Sequence, residues 1–263
     1  MRPEALALLW CPHCRAPLSL HDRAVACAEG HSFDLARQGY VNLVPAPGDT
    51  AAMVSARETF LEAGHLDFIP IEAEGVVVDA GSGPGHYLAA AQADLGIALD
   101  SSTAALRRAA RRAAAAVGCD LWKELPLRSG VADTVLSVFS PRNGAEFARI
   151  LRPGGKLVTV TPAPDHLAQL IEHLGLLSVD PDKEERLQAK LTGLFEQGAG
   201  ERHERILELS HADALAAARM GPSAWHLDPG ELEGRVAVLP EPLAVTAAVD
   251  VTEWTTDGAQ ADH

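Results

Sequence analysis

No stretch of this 263-residue chain approaches the run of about 18 uninterrupted apolar residues that a membrane-crossing helix needs. Its first ten residues, Met1 to Trp10, include Arg2, Pro3 and Glu4 and lack the pattern of a cleaved leader. A cytoplasmic protein with no membrane partner is therefore expected. Cysteine is scarce too: of four, Cys11, Cys14 and Cys27 crowd into the first 27 residues and Cys119 stands apart. That distribution is wrong for a disulfide-rich secreted scaffold and suits metal binding. Positive charge is short, with 22 Lys and Arg against 36 Asp and Glu, a formal net of −14. Such a balance argues against a protein that coats nucleic acid simply by displacing counterions.

The charge deficit is local. Residues 1 to 160 carry 17 acids and 15 Lys/Arg (net −2), whereas residues 161 to 263 carry 19 and 7 (net −12). An RNA-facing surface would then belong to the N-terminal portion, or to the helix carrying Arg107, Arg108, Arg111 and Arg112. No internal repeat is present.

What is there is enough apolar material, 47%, for one large α/β domain and a small appendage. Breakers divide the chain into three zones. Residues 1–45 hold the cysteine cluster and end on Pro45-Ala46-Pro47-Gly48; residues 46–74 form a linker with a helix capped at Asp49 or Thr50 and running to Leu61. Over residues 75–263 short apolar runs alternate with helical stretches, the rhythm of a doubly wound parallel sheet. Strands are expected at 76–78, 97–99, 117–121, 134–139, 157–160, 205–209 and 243–251. Helices are expected at 86–94, 103–116 and 212–220 and across much of 165–195, with a sharp turn at Arg152-Pro153-Gly154-Gly155 and a frayed tail over 255–263.

The cysteines read C-x2-C-x12-C-x3-H over Cys11, Cys14, Cys27 and His31. Two thiolates on a tight knuckle and a second Cys/His pair a dozen residues on can close a tetrahedral zinc shell, and a full shell is a structural one. His13 and His21 compete for the fourth place. His13 lies inside the knuckle and His21 among polar loop residues, so His31 is preferred.

Val76-Val77-Val78 leads into Asp79-Ala80-Gly81-Ser82-Gly83-Pro84-Gly85, an apolar strand entering D-x-G-x-G-x-G before a helix. Glycines let such a turn pass close to a ligand. Asp100, fifteen residues after Gly85 at the end of the next strand, can accept from both hydroxyls of a ribose. An NAD site would serve the same strand and acid but uses G-x-G-x-x-G to set a helix on a pyrophosphate. The spacing here suits a cofactor with an ammonium and a sulfonium and no phosphate, namely S-adenosylmethionine. Asp120 and Leu121 end a third strand, from which a carboxylate and a backbone N–H can reach an adenine. Ser140, Arg142 and Asn143, in the turn after the fourth strand, are candidates for the acceptor site.

Together the two motifs resemble one family, the RlmA-type 23S rRNA (guanine-N1)-methyltransferases, which includes tylosin and related macrolide resistance enzymes. The similarity runs nearly end to end: through the cysteine cluster, Phe33 to Leu43 with its Gly39-Tyr40-Val41-Asn42-Leu43 block, Gly48-Asp49-Thr50, Ala56-Arg57, Phe60 to His65, the glycine turn, Thr161 to Leu167 and Met220 to Trp225. The resemblance implies a class I methyltransferase fold, a Rossmann-like doubly wound sheet, with an N-terminal zinc-binding module. It also implies methyl transfer to N1 of a guanine in a hairpin loop of 23S rRNA by a homodimer whose zinc modules help hold the RNA. Cofactor contacts carried over by position fall on Gly83, Pro84, His166 and Leu66. The family commonly has an acid in place of Pro84 and a tyrosine in place of Leu66.

Guanine N1 bears a proton at neutral pH, and a base could remove it. Asp165, His166, Ser140, Arg142 and Asn143 are the candidates, and Trp10, Phe33 and Tyr40 of the zinc module could stack on unpaired bases. The rival reading is a methyltransferase of a small molecule or protein in which zinc only staples the fold. A non-catalytic RNA-binding module is disfavoured by the intact Asp79, Gly81, Gly83, Gly85 and Asp100 set.

Overall fold

The computed structural model describes residues 1–176, 188–189, 191–221 and 229–256. Helix α1 (Pro3–Leu6) opens the chain, and strands β1 (Leu18–His21), β2 (Ala24–Cys27) and β3 (Ser32–Asp34) form a small antiparallel sheet beside it. Strand β4 (Tyr40–Asn42) leaves this module and pairs, parallel, with a strand of the large sheet. Helix α2 (Ala51–Glu62) follows, with the Thr50 hydroxyl accepting the Met53 N–H as its N-cap. A cap of that kind contributes about 1 kcal/mol.

The large sheet is built from β5 (Glu74–Ala80), β6 (Gln92–Asp100), β7 (Ala115–Gly118), β8 (Ala132–Val138), β9 (Leu151–Pro162), β10 (Phe195–Leu209) and β11 (Leu243–Thr256). With β4 its order is β10-β11-β9-β8-β5-β6-β7-β4; strands β4 to β9 run parallel and β11 is antiparallel to both neighbours. Helices α3 (His86–Ala90), α4 (Thr103–Ala109), α5 (Gly144–Ile150), α6 (Ala168–Leu174), α7 (His211–Met220) and α8 (Pro229–Val236) complete the described elements. None is long and apolar enough to cross a membrane.

Alternation along the strands divides the core in two. Val77 faces a cluster with Phe60 and Leu61 of α2, Leu106 of α4 and Leu170 of α6, whereas Val78 faces one with Ile97, Leu99 and Phe147 and Ile150 of α5. The second cluster also takes in Ala5, Leu6, Leu9, Cys11 and Val25, so the N-terminal module helps to cover that face. β4 shields the edge of β7, which would otherwise offer unpaired backbone groups.

The elements depart from the sequence expectations in definite places. The helix expected over 86–94 stops at Ala90, and the one expected over 103–116 stops at Ala109, because β6 and β7 claim the alanine-rich residues that follow. Alanine favours a helix locally, but Ala115 and Ala116 are buried and hydrogen-bonded beside β6, and that pairing decides. Arg152 to Gly155 is a bulge inside β9, where the pairing with β8 shifts register and Gly154 takes φ +76°, and not a turn before it. Of the helical stretch expected over 165–195, α6 is present and residues 177–187 and 190 lie outside the described residues. The late strands are longer than expected: β10 begins at Phe195, and β11 extends through Thr255 and Thr256 of the tail, whose residues 257–263 also lie outside.

Candidate active site and metal centre

The N-terminal donors converge. His31 Nδ1 lies 3.5 Å from Cys11 Sγ and 3.4 Å from Cys27 Sγ, Cys14 Sγ lies 3.6 Å from Cys27 Sγ, and all four donor atoms fall within 4.8 Å of one another. Bonds of about 2.3 Å to sulfur and about 2.0 Å to nitrogen give tetrahedral edges of about 3.8 Å between sulfurs and about 3.5 Å from sulfur to nitrogen. The donor set therefore fits zinc. Backbone bonds shape the knuckle: the Arg15 N–H donates to the Cys11 carbonyl and the Cys27 N–H to the His31 carbonyl. His13 stays outside the group and stacks on Phe33. Trp10 lies against the guanidinium groups of Arg15 and Arg149.

The second site is a cavity of ≈ 710 Å³ at the C-terminal ends of the parallel strands, where open α/β sheets gather their ligands. Gly81, Gly83 and Pro84 after β5, Asp100 at the end of β6, Asp120 and Leu121 after β7, Ser140 after β8 and His166 after β9 all line it, as does Leu66. Asp79 and Gly85 stand behind that wall. A Cβ at Gly85 would come within 3.2 Å of Ala109 Cα, so this glycine serves the packing of α3 on α4. Asp100 is oriented by backbone: its Oδ2 accepts the Gly83 N–H at 2.8 Å and its Oδ1 the Ser102 N–H at 2.7 Å. Asp120 Oδ1 accepts the Trp122 N–H.

Of the acceptor-site candidates, His166 and Ser140 face the cavity. The Ser140 hydroxyl donates to the Ala80 carbonyl at 2.5 Å. Asp165 binds Arg202 at 2.7 and 2.8 Å, Asn143 donates to the carbonyls of Leu121 and Lys123, and Arg142 is buried outside the lining. His166 is buried, its Nδ1 engages the Ala248 backbone, and burial lowers its pKa. Arg108 and Arg112 pair with Glu58 and Glu62 of α2, and Arg107, Arg111 and Arg112 are exposed.

Five cavity residues carried no clear signal in the sequence. Phe139 is 42% exposed at the end of β8 in a left-handed conformation, φ +51°, and Trp122 is 59% exposed. Leu167, beside His166, is also left-handed at φ +56°. Such backbone strain in non-glycine residues concentrates at functional sites. The Tyr87 hydroxyl is buried without a partner, as is Asp79 Oδ2. Arg57, from the linker helix, reaches the same space.

Burial pushes the Asp79 carboxyl up to about 7, with the Asp100 charge adding to the shift. Burial likewise raises Asp100 to about 6, against the lowering effect of the Ser102 and Gly83 N–H groups. The buried Asp79, the half-buried Asp100 and the orphaned Tyr87 hydroxyl suit a ligand that brings positive charge and hydrogen-bond donors, as the sulfonium and ammonium of S-adenosylmethionine do.

Residues 9–48 match the zinc-ribbon family described as RlmA, N-terminal, and residues 78–159 match a methyltransferase domain. Fold, glycine turn and donor cluster thus define an S-adenosylmethionine-dependent class I methyltransferase with a structural zinc module. The chain is 46% identical over 276 residues to the 23S rRNA (guanine(748)-N(1))-methyltransferase of Streptomyces fradiae, covering 96% of this chain and 98% of the relative. It is 45% identical over 293 residues to a Micromonospora griseorubida protein described as a 23S rRNA (guanine-N(1)-)-methyltransferase, covering 97% and 99%. The chain belongs to the family of 23S rRNA (guanine-N1)-methyltransferases.

Proposed function

We propose that this chain transfers a methyl group from S-adenosylmethionine to N1 of a guanine in a hairpin loop of 23S rRNA, acting as a homodimer in the cytoplasm, with macrolide resistance as a biological outcome. The observation that carries the reading is the lining of one cavity, in which a glycine turn and carboxylates meet two exposed aromatics, Phe139 and Trp122. In this reading Asp100 receives the ribose and Asp120 and Leu121 the adenine, while Asp79, behind Gly81 and Gly83, supplies negative charge to the amino-acid end. When bound, the cofactor supplies an activated methyl group on sulfur. The chain's task is then to hold a guanine in line and keep water out.

A hairpin loop presents unstacked bases, and aromatic side chains recognise these by stacking. Phe139→Ala should lower kcat/KM for an rRNA hairpin about 10-fold or more, since stacking contributes about 1–3 kcal/mol per base. Phe139→Tyr should retain most activity, and affinity for the cofactor should not move. Labelled-methyl transfer with primer-extension mapping tests both the proposed function and this variant. Incorporation at a position other than guanine N1, or none into 23S rRNA, would refute the assignment.

The acid pair gives a pH signature. A carboxyl whose folded pKa lies above its unfolded value stabilises the fold at low pH, and that contribution is lost as pH rises through the folded value. The ligand-free chain should therefore lose stability from about pH 4 to about pH 7 as Asp100 and Asp79 ionise. A cationic ligand favours the ionised forms, so affinity for S-adenosylmethionine should rise over the upper part of that window, by at most about tenfold per pH unit for each group. Melting temperatures with and without cofactor should diverge between pH 5 and pH 7.5, and Asp79→Asn should flatten the divergence. A constant gap would show that these acids do not face the cofactor's charge.

A further inference from the structure

The cavity contains three carboxylates, Asp49, Asp100 and Asp120, and among its described lining residues Arg57 is the one Lys or Arg. The amino-acid end of the proposed cofactor carries a carboxylate as well as an ammonium. An anion entering a partly buried, acid-lined space is costly unless a cation receives it. Asp79 suits the ammonium, and the Tyr87 hydroxyl can hydrogen-bond to either group, but neither side chain carries the positive charge that offsets an anion.

Arg57 is held for such a task. Its Nη1 pairs with Asp49 Oδ2 at 2.6 Å, and its Nη2 donates to the Met220 carbonyl at 2.9 Å, the last residue of α7. A guanidinium has five N–H donors, so further donors are available. The side chain lies against the glycine turn: a Cβ built on Gly83 would stand 3.7 Å from Arg57 Cδ and 3.8 Å from Nη1. Its charge lowers the pKa of both Asp100 and Tyr87, which places it in the same electrostatic space.

We infer that Arg57 is the carboxylate subsite of this cavity: its guanidinium, fixed over Gly83 by Asp49 and the Met220 carbonyl, pairs with the α-carboxylate of S-adenosylmethionine. The inference rests on the methyltransferase reading above. It also ties cofactor binding to three separate segments, since the linker, the glycine turn and the end of α7 meet on this one side chain.

A strut that merely joined these segments would also weaken binding when removed, so the test must read the carboxylate itself. Calorimetry on the full chain should compare S-adenosylmethionine with its decarboxylated analogue, which keeps the sulfonium and amine and lacks the anion. The wild-type chain should prefer the intact cofactor by roughly 10- to 100-fold, the range for a hydrogen-bonded charge pair. In Arg57→Ala the preference should vanish or reverse, because the remaining carboxylates favour the more cationic analogue. Arg57→Gln, which keeps bulk and can still donate to the Met220 carbonyl, should show the same collapse if the alanine variant folds poorly. Retention of the wild-type preference in either folded variant overturns the inference, as does a wild-type chain that binds both ligands equally. A wild-type chain that binds neither would instead overturn the cofactor reading.

Discussion

Cys14→Ala is expected to release the zinc ion and to weaken binding of an rRNA hairpin by at least about tenfold, while affinity for S-adenosylmethionine stays within about twofold, given that apparent binding energies of structural zinc in small modules are about 10–16 kcal/mol. Cys14 is the informative choice because it is exposed, whereas Cys11 and Cys27 are buried in the cluster beneath the large sheet. Truncating either of those would mix loss of metal with loss of packing. The three short strands of the module enclose too little apolar surface to hold their shape alone. Strand β4 should stay docked on β7, so unfolding should be confined to the segment before it. Metal content, limited proteolysis and RNA titration read the three parts of this expectation. Stoichiometric zinc in the variant would remove Cys14 from the ligand set. An equal loss of cofactor and RNA affinity would mean that the module supports the cavity and does not merely present RNA to it.

Gly81→Ala should reduce methyl transfer by at least about 100-fold, which corresponds to about 2.7 kcal/mol. Gly81 has φ +85°, a region that costs other residues about 1–2 kcal/mol. A Cβ there would also overlap Ser140 Cβ, and that serine is pinned by its bonds to the Ala80 carbonyl and to Ser137. Relief would have to come from moving either the glycine turn or the β8 turn that carries Phe139. Gly130→Ala is the control: its φ is +64°, but nothing lies within 4 Å of the added carbon. It should lower stability by about 1 kcal/mol and leave activity intact. Similar activities in the two variants would show that the close approach of Gly81 to Ser140 is unimportant.

The two sites differed in how far local sequence could reveal them. Metal ligands must be cysteine or histidine at short spacings, so the zinc cluster was legible down to the choice of His31 over His13 and His21, and the structure brings that set together. The glycine turn was legible for the same reason, because few residues tolerate its backbone. The acceptor side was not. Ser140, Arg142 and Asn143 were indistinguishable as residues of one turn, yet only Ser140 lines the cavity, while Asn143 is spent on the carbonyls of Leu121 and Lys123. Nothing in the local pattern marks Phe139 or Trp122, since an isolated aromatic reads as core until its exposure is known.

The sequence by itself determined the chemistry that depends on residue type at short range: a thiolate and imidazole cluster, a glycine turn after an apolar strand, an acid at the next strand end, and parallel strands alternating with helices. Tertiary structure decided what depends on partners far along the chain. It turned the alanines of β7 into strand by pairing them with β6, put Tyr40–Asn42 of the N-terminal segment at the edge of the large sheet, and carried Arg57 to the glycine turn. Short spacings restrict a few torsions and can be read locally. Strand pairing, burial and charge contacts between distant segments are energies of the whole fold, and no window of sequence contains them.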